Sequence, residues 1–304
     1  MRIAAAAIAL LVAASAGAVT IVPGDIADAP PPFCWGAGGC IATPPPAQTF
    51  LLGHNGVQKA VITGPYILAF GPNGHLFAGP VVTEYDTSLT IVRHIAAPFF
   101  VVSMTVAQNG DLYVLSSTGT VAILSPTGTL KQTFTMPFTA GSLTIPASFD
   151  LGSDQCTIFY TDGAQTGRRF NACTLQPLAD LAPGAWTAVR AMSDGGYVTA
   201  QGSTLSIFDA QNKLLRAFTP QIAPVTALAF DVDPQFLWAG TAKIRLADGT
   251  AVAFAGLAPL YLAVNGEQRP AAAQFAADIP ALSPALLFAV ALGLIALAWQ
   301  RLRA

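Results

Sequence analysis

Histidines, carboxylates and cysteines are the side chains of this chain able to do chemistry, and they are few: three His, sixteen Asp and Glu, and four Cys in 304 residues. A general base needs a proton donor or an orienting partner within hydrogen-bond reach. His54, His75 and His94 fall instead on separate predicted strands or turns, where each reads as an exposed turn or strand residue. Glu84 and Asp86 alternate along one predicted strand and so project from one face. Together they could contribute oxygens to a calcium site; a solvated strand face is the alternative. Asp231 and Asp233 bracket a turn ahead of Pro234, and turn chemistry accounts for both. No G-x-S-x-G nucleophile elbow occurs, and Ser and Thr are too abundant for one hydroxyl to stand out. These residues assign no catalytic or cofactor-binding role, and calcium is the one metal they leave open.

The cysteines read as structural. No C-x-x-C, C-x-x-C-H or zinc-type spacing is present, which argues against metal, haem and redox roles. Cys156 and Cys173 are equidistant from a turn centred on Ala164-Gln165, so they should face each other across a hairpin and form a disulfide. Cys34 and Cys40, in FCWGAGGC, would close a small loop within a Pro-rich stretch from Ala29 to Pro46.

The elements that must position these residues come from a repeat. An apolar run, a Gly- or Asp-containing turn and a second short strand recur along the middle of the chain. Ile67–Phe70 leads through Asn73-Gly74 to His75–Phe77, and Ser103–Val106 through Asn109-Gly110 to Asp111–Val114. Ala188–Ala191 leads through Asp194-Gly195 to Gly196–Val198, and Ala227–Phe230 through Asp233-Pro234 to Phe236–Trp238. A degenerate copy runs from Ser148–Asp150 to Cys156–Tyr160. Second hairpins follow, turning at Thr127-Gly128, Gln211-Asn212 and Asp248-Gly249. Asn-Gly and Asp-Gly pairs supply the positive φ that tight hairpins need.

Four short strands every ~35–43 residues are the signature of propeller blades. Five copies lie between Tyr66 and Leu260. Leu260–Val264 reads as the inner strand of a sixth blade, and Thr49–Leu52 with Val57–Ile62 as its outer hairpin. Joining them would pair the two ends of the domain and close the ring. An all-β, six-bladed propeller is therefore expected, with five blades or a β-sandwich as alternatives. Trp186 and Trp238 should pack between blades, whereas Trp35 lies in the Pro-rich arm outside the repeats.

Composition agrees with strands and turns and excludes one class of partner. Charged residues are 10% and hydrophobic ones 53%, against about a quarter charged in a typical soluble domain. Net charge is −2 with no basic stripe, so no electrostatic footprint for nucleic acid exists.

Both ends carry targeting features. Met1-Arg2 and the apolar run Ile3–Ala14, followed by small residues at Ala14, Ala16 and Ala18, read as a signal peptide over 1–18. Residues 281–299 are almost uninterruptedly apolar and long enough for a helix to cross a bilayer core of about 30 Å. Arg301 and Arg303 follow, placed as the positive-inside rule asks of an exported chain. Ile279-Pro280-Ala281-Leu282-Ser283-Pro284, the apolar span and the Arg-containing tail together resemble the IPTL-CTERM sorting signal, a relative of the PEP-CTERM class. The match departs from the family pattern at Ala281, where Thr is typical, and has only two arginines in its tail. The resemblance implies an exosortase-type processing enzyme, besides signal peptidase, and a route from the membrane to the cell surface. In the middle, DQCTIFYTDGAQTGRRFNACTLQPLADL is similar to blades of the NHL and YWTD-like propellers, with Tyr160-Thr161-Asp162 as the strand signature.

The expected organisation is a signal peptide over 1–18, a Pro-rich disulfide-containing arm over 19–47 and a propeller over 48–270. A linker over 271–278 and the sorting segment over 279–304 complete it. The expected role is an exported, envelope-associated binding module for a protein or glycan ligand, met through polar and aromatic loops. The alternative is a metal-assisted lactonase or lyase, since gluconolactonase-like and virginiamycin-lyase-like propellers place carboxylates, Asn or His around the central channel.

Overall fold

The computed structural model describes residues 19–29, 48–53, 57–63, 67–139, 148–162, 164–253 and 261–275. Runs rich in Val, Ile, Thr, Tyr and Phe, broken by Gly, Asn and Asp, form twenty-four short strands among these residues. They are β1 (Ile26–Ala29), β2 (Gln48–Leu52) and β3 (Gln58–Thr63), then β4 (Leu68–Phe70), β5 (Leu76–Ala78), β6 (Val82–Tyr85) and β7 (Ile91–Ile95). Next come β8 (Val101–Val106), β9 (Leu112–Ser116), β10 (Thr120–Leu124), β11 (Leu130–Thr135), β12 (Phe149–Leu151), β13 (Thr157–Thr161), β14 (Gly167–Asn171) and β15 (Gln176–Pro177). The last are β16 (Ala188–Ala191), β17 (Tyr197–Gln201), β18 (Thr204–Phe208), β19 (Leu214–Phe218), β20 (Leu228–Phe230), β21 (Phe236–Ala239), β22 (Ala242–Arg245), β23 (Ala251–Ala253) and β24 (Tyr261–Val264).

The strands make six four-stranded antiparallel sheets. Blades 1 to 5 are consecutive meanders: β4–β7, β8–β11, β12–β15, β16–β19 and β20–β23. Blade 6 is ordered β24-β1-β2-β3. The inner strands β4, β8, β12, β16, β20 and β24 neighbour one another in a closed ring. This is a six-bladed β-propeller, as the repeat count predicted.

Closure differs from the predicted join by one strand. β24 does not meet the outer hairpin directly; β1 lies between them, pairing Ile26 with Val264 on one side and with Leu52 on the other. That strand comes from the segment expected to be an arm outside the repeats. Only four residues long, and followed at once by the Pro-rich stretch, it offers no hairpin partner nearby in sequence to reveal it.

The core is divided among the six wedges between blades. Val82 and Ile95 of blade 1 meet Leu112 and Leu124 of blade 2, and Phe134 stacks on Phe170 between blades 2 and 3 at 5.3 Å. Trp186 is buried with Phe159 and Phe208 between blades 3 and 4, and Trp238 with Ile26 and Val264 between blades 5 and 6. A sheet packed on both faces shows no clean alternation, and β9 is buried at all five positions.

Local details follow from turn chemistry. Gly110 has φ +84° and Asn212 +66°, the left-handed values that their hairpins require. Cys156 and Cys173 form the predicted disulfide across the β13–β14 hairpin, with Cα atoms 5.3 Å apart. Cys34, Cys40 and Trp35 lie outside the described residues, as do residues 1–18 and 279–304, where a signal peptide and a sorting segment are expected. Among the described residues no helix is long and apolar enough to cross a membrane.

Two measurements test this description. Ile26 is fully buried in the closing strand, so Ile26→Ala is expected to lower stability by about 2–5 kcal/mol in urea unfolding. Val61→Ala, on an exposed outer-strand position, should stay within about 0.5 kcal/mol of wild type. Reducing the Cys156–Cys173 bridge, whose sequence separation is 17, should lower stability by up to about 3 kcal/mol.

Candidate functional site

The inner strands surround a channel that is narrow at one end and wide at the other. At the narrow end a space of about 50 Å³ is bordered by Ser103, Ser148, Thr226 and Tyr261. At the other end, where the inner strands turn outward, it opens into a cavity of about 690 Å³. Phe70, Thr105, Gln108, Gln155, Arg190 and Asn265 are among its lining residues.

Four charged side chains set the electrostatics of this mouth. Asp150 is fully buried on β12; its neighbours Phe149 and Leu151 join the core between blades 2 and 3. Its carboxylate accepts the backbone N–H of Ala191 at 2.8 Å and of Leu151 at 2.9 Å. Arg190, on β16, lies 3.3 Å from Asp150 Oδ1, and Arg269 Nη2 donates to the same oxygen at 2.8 Å. Arg190 Nε donates to Glu267 Oε1 at 2.9 Å, and its Nη2 donates to the other oxygen, a bidentate pair.

Burial by itself would raise the Asp150 pKa, but the guanidinium charges of Arg190 and then Arg269 outweigh it and hold the carboxyl below its usual range. Burial would likewise weaken the charge on Arg190, while Asp150 and Glu267 push its pKa further up. Asp150 and Arg190 are thereby each held in the ionised form, bonded to Arg269 and Glu267 respectively. Such a pair fixes structure and potential; neither Asp150 nor Arg190 is poised to transfer a proton near neutral pH.

Glu267 and Arg269 reach the mouth because the chain after β24 crosses that face. Gln268 N–H donates to Asp231 O at 2.9 Å in blade 5, and Ser193 N–H of blade 4 donates to Pro270 O at 3.0 Å. A short 3-10 helix, Ala272–Phe275, then buries Ala272 and Phe275 against blades 4 and 5. Gly196 allows this approach, since a Cβ there would sit 2.3 Å from that of Ala272. Asp194 accepts the Ala273 N–H at 3.0 Å. Although burial opposes it, backbone donors including Ala272 and Ala273 hold the Asp194 carboxyl below its usual range.

Of the residues singled out in the sequence, His75, Glu84, Asp86 and His94 all fall in blade 1 and Asp231 and Asp233 in the β20–β21 turn of blade 5; His75, expected to be exposed, is half-buried against Glu84. Glu84 and Asp86 do not share an exposed face: Glu84 is buried, and a bulge at Glu84/Tyr85 ends the alternation before Asp86. Glu84 pairs with His75 Nδ1 at 2.7 Å and with Arg93. Asp86 instead accepts bonds from Ser88 and Thr90 in its turn. His94 is exposed and lies 3.0 Å from Thr83 Oγ1; His54 is outside the described residues.

Asp231 is more than a turn residue: Trp238 Nε1 donates to it at 2.6 Å, and Lys243 lies 2.9 Å away. Asp233 caps its turn by accepting from Gln235 N–H at 3.0 Å. Within Tyr160-Thr161-Asp162, Tyr160 donates to Pro137 O, Thr161 Oγ1 accepts from Ser148 N–H, and Asp162 accepts from Ala164, Thr166 and Arg168. Among the described residues no group of three or more His, Cys, Asp or Glu gathers as metal ligands would. The motif residues Ile279–Pro284, with Arg301 and Arg303, fall outside them.

Sequence reasoning missed the charge cluster, although a signal was present. Asp150 stands between Phe149 and Leu151, and Arg190 between Val189 and Ala191, each a lone charge inside an apolar inner strand. Their partners Glu267 and Arg269 come from more than seventy positions away, a pairing set by the ring.

No family model matches this chain, and no curated protein matches it either. The fold class rests on its own geometry: a closed six-bladed propeller with a charge-neutral channel mouth.

Asp150→Asn would leave both guanidinium groups short of a counter-charge, and a stability loss of about 3–5 kcal/mol at pH 7 is expected in urea unfolding. The folded pKa of Asp150 is depressed. Its contribution is therefore present above the unfolded value of about 3.9 and disappears as pH falls through the folded value. The difference between wild type and Asp150→Asn should accordingly shrink below about pH 4; a constant difference down to acid pH would contradict this assignment.

Proposed function

We propose that this chain is an exported, envelope-associated interaction module, whose propeller presents the channel mouth and surrounding loops to a ligand. The observation that carries the reading is the 690 Å³ cavity at the mouth, where the four charges are already paired with one another. A cavity of that size lies in the range of small-molecule and recognition pockets. Its fixed charges favour binding over proton transfer.

Export is supported by the sequence of the N-terminus and by how it meets the fold. Cleavage after Ala16 or Ala18 would leave β1 whole, together with the Ile21 N–H bond to Thr87 O. At the other end, processing near Ile279 would spare the 3-10 helix that ends at Phe275. The IPTL-like segment supports a path in which an exosortase-type enzyme releases the propeller from the inner membrane towards the surface. NHL- or YWTD-like ancestry of the blades is part of the same reading.

Intact mass of the native protein, taken separately from membrane and extracellular fractions, tests this. A species beginning near Gly17 or Val19 and ending near Ile279, outside the inner membrane, is the expected result. A protein that keeps its arginine tail and stays in the inner membrane would overturn sorting but leave an anchored module. An unprocessed cytoplasmic chain would overturn export altogether.

A further inference from the structure

We propose that the channel-mouth cavity binds an uncharged, hydroxyl-rich ligand, a mono- or disaccharide, with Asn265 and Thr105 as its polar anchors. The inference rests on the reading of the chain as a binding module and names the ligand class for that site.

Asn265 is only 5% exposed and Thr105 only 6%. Both line the cavity. Asn265 is held by its backbone, which donates to Asp25 O at 2.9 Å and accepts from Gly24 N–H at 2.8 Å. Thr105 sits inside β8, opposite Tyr113. Yet neither the Asn265 amide nor the Thr105 hydroxyl bonds to any described residue. Neither group is among the polar atoms shut off from solvent without a partner, so both are open to the cavity, where water or a ligand can bond to them. A ligand entering the cavity would therefore meet an unengaged amide from blade 6 and an unengaged hydroxyl from blade 2.

The chemistry of the pair narrows the ligand. An amide offers both donors and an acceptor, and a hydroxyl does the same. The groups that satisfy both, from blade 6 on one side and blade 2 on the other, are ligand hydroxyls. A charged ligand gains little here. Arg190, Arg269, Asp150 and Glu267 sum to zero and are mutually bonded, so an ionic group would have to break an existing pair. Gln108 and Gln155 add amide character to the rim, while Phe70, Met104 and Leu151 give the lining apolar surface against which the C–H face of a sugar ring can lie.

The test uses the full chain in a detergent that has no sugar headgroup. It is titrated by calorimetry with glucose, galactose, N-acetylglucosamine, maltose and lactose, and with glucuronate and glucosamine as charged counterparts. Saturable binding of at least one neutral sugar is expected, weakened about tenfold or more by Asn265→Ala and by Thr105→Val, equivalent to about 1.4 kcal/mol. Urea unfolding midpoints control for folding, and Thr105→Ser, which keeps the hydroxyl, should retain binding.

Absence of saturable binding by any neutral sugar would overturn the proposal, as would tighter binding of the charged ones. Capture of purified envelope polymer unaffected by free sugars and by Asn265→Ala would overturn the saccharide site while leaving the interaction module standing. Failure to bind either sugars or polymer would overturn both.

Discussion

This ring of blades closes by hydrogen-bonding its two chain ends together within one blade, and that join is β1. Ile26–Ala29 lies between Tyr261–Val264 and Gln48–Leu52, so both long-range ladders of blade 6 run through four residues. Ile26 fills the wedge against Trp238 and Val264, and the ladder continues through Asp25 and Asn265. The position of everything after β24 depends on this seam. Glu267 and Arg269 meet Arg190 and Asp150 across the mouth because β24 is held where blade 6 closes. Opening the seam would release the inner strand, the crossing segment and the charge cluster together.

Stability is otherwise spread evenly around the ring. Each wedge buries its own apolar cluster, with no single central core. Into this apolar frame the chain places a sparse set of buried carboxylates, several of them neutralised by a cation from the same blade. Asp25 meets Lys59, Asp111 meets Lys131, Asp162 meets Arg168 and Asp231 meets Lys243. Buried or half-buried pairs of this kind add little net stability, but removing one partner strands the other. In this way a chain with 10% charged residues holds several of its acids away from solvent.

The same frame shapes the mouth. Inner strands and an ion cluster with no net charge leave amide, hydroxyl and apolar groups among those lining the cavity. Strand-borne groups such as Thr105 on β8 are held more firmly than loop residues.

The repeat was legible because hairpin chemistry is local. Positive-φ turns at Gly110 and Asn212, apolar runs on either side, and the hairpin symmetry of Cys156 and Cys173 all act over fewer than twenty residues. From these the blade count and one disulfide followed directly. Local patterning was also enough to place Trp186 and Trp238 between blades. It misled at Glu84 and Asp86, where a bulge broke the alternation that would have put them together. The fourth strand of blade 6 and the candidate site were decided only in three dimensions. β1 pairs with a strand some 235 positions later, as Ile26 with Val264 shows, and Asp150 is neutralised by Arg190 and Arg269 from two other parts of the ring. Periodicity and turn residues report which strands form, because those preferences belong to neighbouring residues. Which charges meet, and which polar groups are left facing a cavity, depends on how a closed ring superimposes distant segments, and only the tertiary structure contains that information.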